Sequence, residues 1–153
     1  MKNKLKISLR KIEEEDIPTL IEIEKTASSK TYSAMLTEKE WLDELAKGNA
    51  MVYAIIMDGE IVGDISYEMK NKNTAYISGL CVNSKYKGQG IGKEAIKILL
   101  EDLKEVKIVE LLTHPDNAAA MHIYKFFGFK QVGKPKENYF GDGEPRIKMI
   151  FKK

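Results

Sequence analysis

Residues 87–92 read Lys-Gly-Gln-Gly-Ile-Gly, and these alternate glycines constrain the chain more than any other stretch of it. Glycine takes left-handed backbone at no steric cost but loses the most conformational freedom on folding, so such a cluster marks a place where the backbone must approach something closely. The residues that follow are helical in period, with Ile91, Ala95, Ile96, Leu99, Leu100 and Leu103 on one face. Those before it, Thr74 to Val82, read as a strand. A glycine loop between a strand and a helix start offers unpaired amides and the positive end of a helix, which together receive a phosphate. One anion–dipole interaction contributes only about 0.3–2 kcal/mol, so binding there requires several amides converging on one group.

Other glycine motifs fit less well. A phosphate loop of the Walker type needs glycine five residues before its Gly-Lys pair and Ser or Thr after it, whereas here those positions hold Lys87 and Glu94. Gly90, Gly92 and Ala95 do match the dinucleotide pattern G-x-G-x-x-A, with Asp116 about 20 residues on. The run of strands before the loop, and the little chain left after it, do not supply the two βαβαβ halves of that fold. A glycine turn without a ligand is the remaining alternative.

Along the chain, residues 5–12 alternate around Leu5, Ile7, Leu9 and Ile12 as a first strand. An acidic entry, Glu13 to Asp16, leads into a helix that uses Ile17, Leu20, Ile21 and Glu24 on one side. Thr37-Glu-Lys-Glu40 forms a capping box and Gly48 a left-handed stop, which brackets a second helix over 38–47. Residues 51–57, 60–70 and 74–82 form an antiparallel meander with turns at Asp58-Gly59 and Asn71-Lys-Asn73. A strand over 107–113, a helix over 117–127 stopped by Gly128, and strands over 129–133 and 146–151 complete the order. The helix after the loop has crossover length, so the strands on either side of it are expected to be parallel. A single domain over residues 1–153 is expected, built as an α/β (α+β) mixed sheet covered by helices.

With 25 Lys+Arg against 23 Asp+Glu and a formal charge of +2, the chain lacks the concentrated basic patch that nucleic-acid binding needs. Its apolar runs fall far short of the roughly 20 residues of a membrane helix. A single cysteine, Cys81, excludes an internal disulfide, and the start Met-Lys-Asn-Lys-Leu-Lys has no apolar secretory stretch, so a cytoplasmic location is expected. No nucleic acid, membrane or metal is expected as a partner.

Three segments together, Leu80-Cys-Val82, Tyr86-Lys-Gly-Gln-Gly-Ile-Gly-Lys93 and His114-Pro-Asp-Asn-Ala-Ala-Ala-Met-His-Ile-Tyr-Lys-Phe-Phe-Gly-Phe129, resemble the GCN5-related N-acetyltransferase superfamily (GNAT). The family loop is usually [R/Q]-x-x-G-x-[G/A]; Lys87 stands where Arg or Gln is usual, keeping the charge and losing the bidentate geometry. The resemblance implies a mostly antiparallel sheet of about seven strands with about four helices, splayed between the fourth and fifth strands. In that splay acetyl-CoA would lie, its pantetheine arm on the backbone of Leu80, Cys81 and Val82. Its pyrophosphate would meet the amides of Lys87, Gly88, Gln89, Gly90, Ile91, Gly92 and Lys93. Lys93 itself is equally readable as a solvated first-turn lysine. Family members often pair, so a homodimer is a further expectation.

Asn117, Ala120, Met121 and Tyr124 share one helix face, its ends about 10 Å apart. Asn117 is a good N-cap on its own account. In the resembling family the asparagine contacts the pantetheine arm and the tyrosine points its hydroxyl at the thioester sulfur. The reaction implied is attack by a neutral amine on the thioester carbonyl, giving an oxyanion that a strand amide near Val82 stabilises. Tyr124 is the candidate acid; a phenol near pKa 10 protonating a thiolate near 8.5 is uphill by about 2 kcal/mol, so a hydrogen bond to the developing thiolate is expected before full transfer. Core packing is the competing reading of Tyr124.

Cys81 reads as a core residue, since nothing beside it would stabilise a thiolate. The central-strand glutamate of many family members has no counterpart in Ala75-Tyr-Ile-Ser78, which leaves Glu24, His114, Asp142 and Glu144 as candidate bases. Residues 137–146 form a loop whose Tyr139 and Phe140, beside Asp142 and Glu144, suit a cationic amine held between rings and carboxylates. The Tyr139 region is similar to the substrate loop of GNATs that acetylate protein N-termini. Small-molecule and peptide amines are both expected acceptors. The alternative function is a non-catalytic acyl-CoA-binding module, and a nucleotide-binding protein is the third.

Overall fold

The computed structural model describes residues 5–153; the reading of Met1 to Lys4 as lacking a secretory stretch lies outside them. Seven strands form one sheet in the order β1-β2-β3-β4-β5-β7-β6. They are β1 (Ile7–Lys11), β2 (Ala50–Met57), β3 (Glu60–Asn71), β4 (Thr74–Val82), β5 (Ile108–Thr113), β6 (Lys130–Lys136) and β7 (Arg146–Lys152). Helices α1 (Ile17–Ala27), α2 (Glu38–Ala46), α3 (Ile91–Asp102) and α4 (Ala118–Phe126) cover it. The expected architecture and the helix-linked parallel pair, β4 with β5, are both present. No helix among the described residues is long and apolar enough to cross a membrane.

Local chemistry explains most boundaries. Asp58 (φ 53°) and Gly59 (φ 79°) both sit in the left-handed region that a two-residue hairpin turn requires, which sets the β2–β3 register. Thr37 Oγ1 accepts the Glu40 N–H at 3.2 Å, but the Glu40 carboxylate takes the Thr37 hydroxyl instead of the backbone donor, so only half of the capping box forms. Gly48 does not have the left-handed backbone expected of it. Lys47 instead turns extended (φ −71°, ψ 125°) to feed β2, so sheet pairing ends the helix.

Apolar layers lie on both faces. On one, Ile96 and Leu99 of α3 and Tyr124 of α4 pack on Ile65, Ile77 and Leu111. On the other, Leu20 of α1 and Trp41 of α2 pack on Val52 and Ala54. Two features then open the sheet. The β3–β4 register skips Ser78, a bulge that leaves Ala75 and Ile77 on the α3 side before it and Leu80 and Val82 on that same side after it. The β4–β5 ladder ends at Ile77↔Leu111, so β4 runs five residues further with no partner on that edge.

Candidate active site

A cavity of about 750 Å³ fills the splay and runs from the glycine loop to the α1–α2 connection. At its first end, Gly88 (φ 79°) and Gly90 (φ 81°) hold left-handed backbone, and Gly90 caps α3. Nothing along Gly88 to Lys93 donates a backbone N–H to another described residue, whereas the Lys87 N–H is given to Ser84 O at 3.2 Å. The free amides therefore begin one residue later than the sequence reading placed them. Lys87 and Lys93 line this end, with Lys93 Nζ held 3.4 Å from the Phe126 ring centroid.

Along the middle, Asn83 donates its N–H to Val62 O on β3 at 2.8 Å. Successive strand amides face opposite edges, so Val82 and Leu80 direct theirs into the splay and Cys81 directs its own toward β3. The Cys81 thiol is buried among acids that push its pKa up, burial being the larger cause, which keeps it protonated. Opposite this edge stand Asn117, Ala120 and Tyr124; Met121 is not part of the wall. Asn117 Oδ1 accepts the Ala120 N–H at 3.1 Å, so it caps α4 while lining the cavity. The Tyr124 ring is buried in the core, and burial raises its pKa; its hydroxyl makes no hydrogen bond among the described residues.

The far end is acidic and aromatic. Tyr32, Glu44, Glu68, Tyr76 and Ser78 line it. Glu44 and Glu68 share Lys47 at 3.0 and 3.2 Å, and Glu44 Oε1 is buried with no hydrogen-bond partner. Burial first and Glu68 second raise the Glu44 pKa. Burial also pushes the Tyr76 phenol up to about 12. Tyr32, Glu44 and Glu68 escaped the sequence reading because three separate elements supply them, and only the fold brings them together.

Phe140 lines the cavity, and Tyr139 lines an adjoining one of about 400 Å³ that shares Glu68, Tyr76 and Phe140 with it. Asp142 and Glu144 lie on neither wall. Asp142 takes the Glu144 N–H and Arg146, which hold its carboxyl below the usual range. Glu144 Oε1 meets His114 Nε2 at 3.0 Å. The Asp116 N–H donates to His114 Nδ1 at 3.0 Å, so Nδ1 is unprotonated and Nε2 carries the proton toward Glu144. His114 thus has no free lone pair with which to act as a base, and the pairs Arg146–Asp142 and His114–Glu144 shape the loop that presents Phe140.

Behind the acidic end, Asp64 is 4% exposed, and burial first and Glu24 second hold its pKa well above the ordinary 3.8. The unfolded chain ionises this group near 3.8 while the folded chain keeps the proton, so folding takes up a proton and stability falls as pH rises through that window. The slope approaches about 1.4 kcal/mol per pH unit. Asp64→Asn removes it: urea midpoints measured at about pH 5 and pH 7 should converge in the variant and differ in the wild type.

The match to known proteins follows this geometry. The model of the Acetyltransferase (GNAT) family matches residues 10–129. The L-amino acid N-acetyltransferase AaaT of Escherichia coli is 29% identical over 112 residues, 68% of this chain and 68% of that one. A spermine/spermidine N(1)-acetyltransferase of Bacillus subtilis is 29% identical over 87 residues, 50% of this chain and 57% of that one. The crystal structure of the ribosomal-protein-S18-alanine N-acetyltransferase from Escherichia coli superposes with a TM-score of 0.79 at 20% identity, covering 96% of this chain and 94% of that one. Because the segment matched by the family model builds both walls of the splay, the chain belongs to the acetyltransferase (GNAT) family and is an acetyl-CoA-dependent N-acetyltransferase.

Proposed function

We propose that this chain, working as a single acetyltransferase domain, moves the acetyl group of acetyl-CoA onto a primary amine that carries a second positive charge. The observation that carries the acceptor is Glu44 Oε1, a buried and unpartnered carboxylate oxygen in the cavity wall, beside Glu68 and with one lysine between the two acids. A buried acceptor atom left without a donor costs about 1–3 kcal/mol, which an ammonium group of the substrate would recover. The aromatic walls Tyr76 and Phe140 favour the same cation. A polyamine, or a peptide with a basic residue near its free amine, carries both charges.

In this reading the pyrophosphate sits on the amides of Gly88 to Lys93, with Lys87 and Lys93 nearby. The pantetheine arm pairs with the cavity-facing groups of Leu80 and Val82 and passes Asn117 and Ala120. The neutral amine attacks the thioester carbonyl, a β4 amide receives the oxyanion, and Tyr124 donates a hydrogen bond to the sulfur as the carbon–sulfur bond breaks. Because burial raises the Tyr124 pKa, the phenol keeps its proton until the thiolate has developed.

The test is thiol release from acetyl-CoA with spermidine, a neutral amino acid, an alanine-starting peptide and the same peptide with lysine second. Release should favour spermidine and the peptide with lysine second, the two acceptors that carry a positive charge beyond the reacting amine. Tyr124→Phe should lower kcat by at least about tenfold, the value of a hydrogen bond to a charged group, with KM for acetyl-CoA little changed. A rate within a factor of about two of wild type removes Tyr124 from the chemistry, and equal use of the neutral amino acid removes the charge reading.

A further inference from the structure

Tyr32, Glu24 and Asp64 connect the acceptor end of the cavity to a buried acid pair that the acetyl-transfer steps above leave unused. Glu24 of α1 is 1% exposed, yet its carboxylate is well supplied with donors. Both its oxygens lie 2.9 Å from Tyr32 Oη, and Oε1 also accepts the Met35 N–H at 2.9 Å. Asp64 of β3 sits beside it, with Oδ2 buried and unpartnered. One carboxylate oxygen of each acid and the Cys81 sulfur of β4 lie within 4.8 Å of one another.

The surrounding charges are all of one kind. After burial, the largest cause, Glu24 acts on Asp64 among the described residues, Asp64 and Glu24 act on Cys81, and Asp64, Glu24 and Cys81 act on Tyr32, each raising the pKa. So α1, the α1–α2 connection, β3 and β4 bring two carboxyls, a phenol and a thiol together, and among the described residues no lysine, arginine or histidine offsets them. Two adjacent buried carboxylates without a cation cannot both stay ionised, and one proton shared by the pair is the least costly solution. Glu24 accepts from two donors, the Tyr32 hydroxyl and the Met35 N–H, whereas Asp64 Oδ2 has none, so the shared proton sits on Asp64.

We propose that this group is the route by which the acceptor loses its proton. The reasoning rests on the amine-acetylation reading, because a substrate arriving as an ammonium must become neutral before it attacks. Tyr32 lines the acceptor end and has a single hydroxyl proton, which it gives to Glu24. Its oxygen lone pairs can then accept a proton from the ammonium, directly or through one water. As the ammonium N–H bond breaks and a new Tyr32 O–H bond forms, the original Tyr32 proton passes to Glu24. The ammonium becomes an amine, the Glu24 carboxylate becomes a carboxylic acid, and the phenol is restored. The amine loses its second proton to the departing CoA thiolate, and Glu24 returns its proton to solvent once product leaves. Tyr32 is the catalytic member; Glu24 and Asp64 act through it.

The decisive experiment is the pH profile of kcat/KM for wild type, Glu24→Gln and Tyr32→Phe, using the acceptor above with the fastest release. Near pH 7 both variants should lose about a hundredfold, the low end of the range for a general base. The deficit should shrink at least about fivefold by roughly pH 9.5, where solution supplies neutral amine. A loop merely loosened by the substitution would be deficient equally at both pH values, and that outcome, or no deficit at all, overturns the relay. The shared proton is read without turnover: the infrared carboxylic-acid band of the free protein near pH 7 should be present in wild type and absent from Asp64→Asn. Its absence in wild type, or one divalent cation bound per purified chain, overturns the shared proton. Wild-type protein that releases no thiol with any amine defeats the amine reading and the relay with it, whereas release without the pH-dependent deficit defeats the relay alone.

Discussion

Replacing Gly88 and Gly90 together by alanine should weaken acetyl-CoA binding by about 10²-fold while leaving the sheet intact. Both residues hold left-handed backbone, at φ 79° and 81°. A side chain there costs roughly 1–2 kcal/mol per residue. Space is not the obstacle, since a Cβ at Gly88 would meet nothing within 4 Å and one at Gly90 only Leu5 Cδ1 at 3.7 Å. The loop therefore relaxes out of the left-handed region in the free chain, and cofactor binding has to restore it. About 2–4 kcal/mol in all corresponds to roughly 30- to 10³-fold in affinity. Calorimetric titration with acetyl-CoA measures it, with thermal unfolding of the free protein as the control. Affinity within threefold of wild type would mean that the amides of this loop do not hold the pyrophosphate.

The second large effect is on the fold. Gly63 of β3 lies opposite Val82, and a Cβ there would fall well inside contact distance of the Cys81 carbonyl oxygen, 3.2 Å from Val82 Cα and 3.1 Å from Ile55 Cδ1. Two of these neighbours are backbone atoms of β4, so relief requires β3 and β4 to separate. Overpacking of this kind costs typically 1–3 kcal/mol, and a backbone clash belongs at the upper end. Gly63→Ala should therefore lower Tm by roughly 6–12 °C, taking about 2–4 °C per kcal/mol for a chain of this size. Thermal unfolding followed by circular dichroism reads it directly, and a shift under about 2 °C would show that the strands part cheaply here.

What could be read from the sequence was local. Asp58-Gly59, the apolar face of α3 and the glycine loop each declare themselves within a dozen residues, because turn chemistry, period and backbone freedom are short-range properties. Gly48 shows the limit: its left-handed stop is a sound local expectation, but the pairing of β2 from Ala50 onward draws Lys47 into extended backbone first. Long-range pairs were equally hidden. His114 and Glu144 meet across 30 positions, and Asp142 is taken up by Arg146, so two acids that looked free for substrate close their own loop. The Ser78 bulge leaves no trace in a pattern of small and apolar residues, and the acceptor end is assembled from α1–α2, α2, β3 and β4 at once.

The early end of the β4–β5 ladder makes the sheet incomplete. Beyond Ile77, the outward-facing peptide groups of Leu80 and Val82 have no strand to pair with, although they belong to a regular β-strand. An extended chain with amide groups of its own, such as the pantetheine arm, fits that gap as a missing eighth strand would. On the proposed binding mode, the acyl carrier would be part of the architecture as well as a reagent. If the arm binds as proposed, each turnover would remove and replace one strand of the sheet, and β4 would be fully paired only while the carrier is bound.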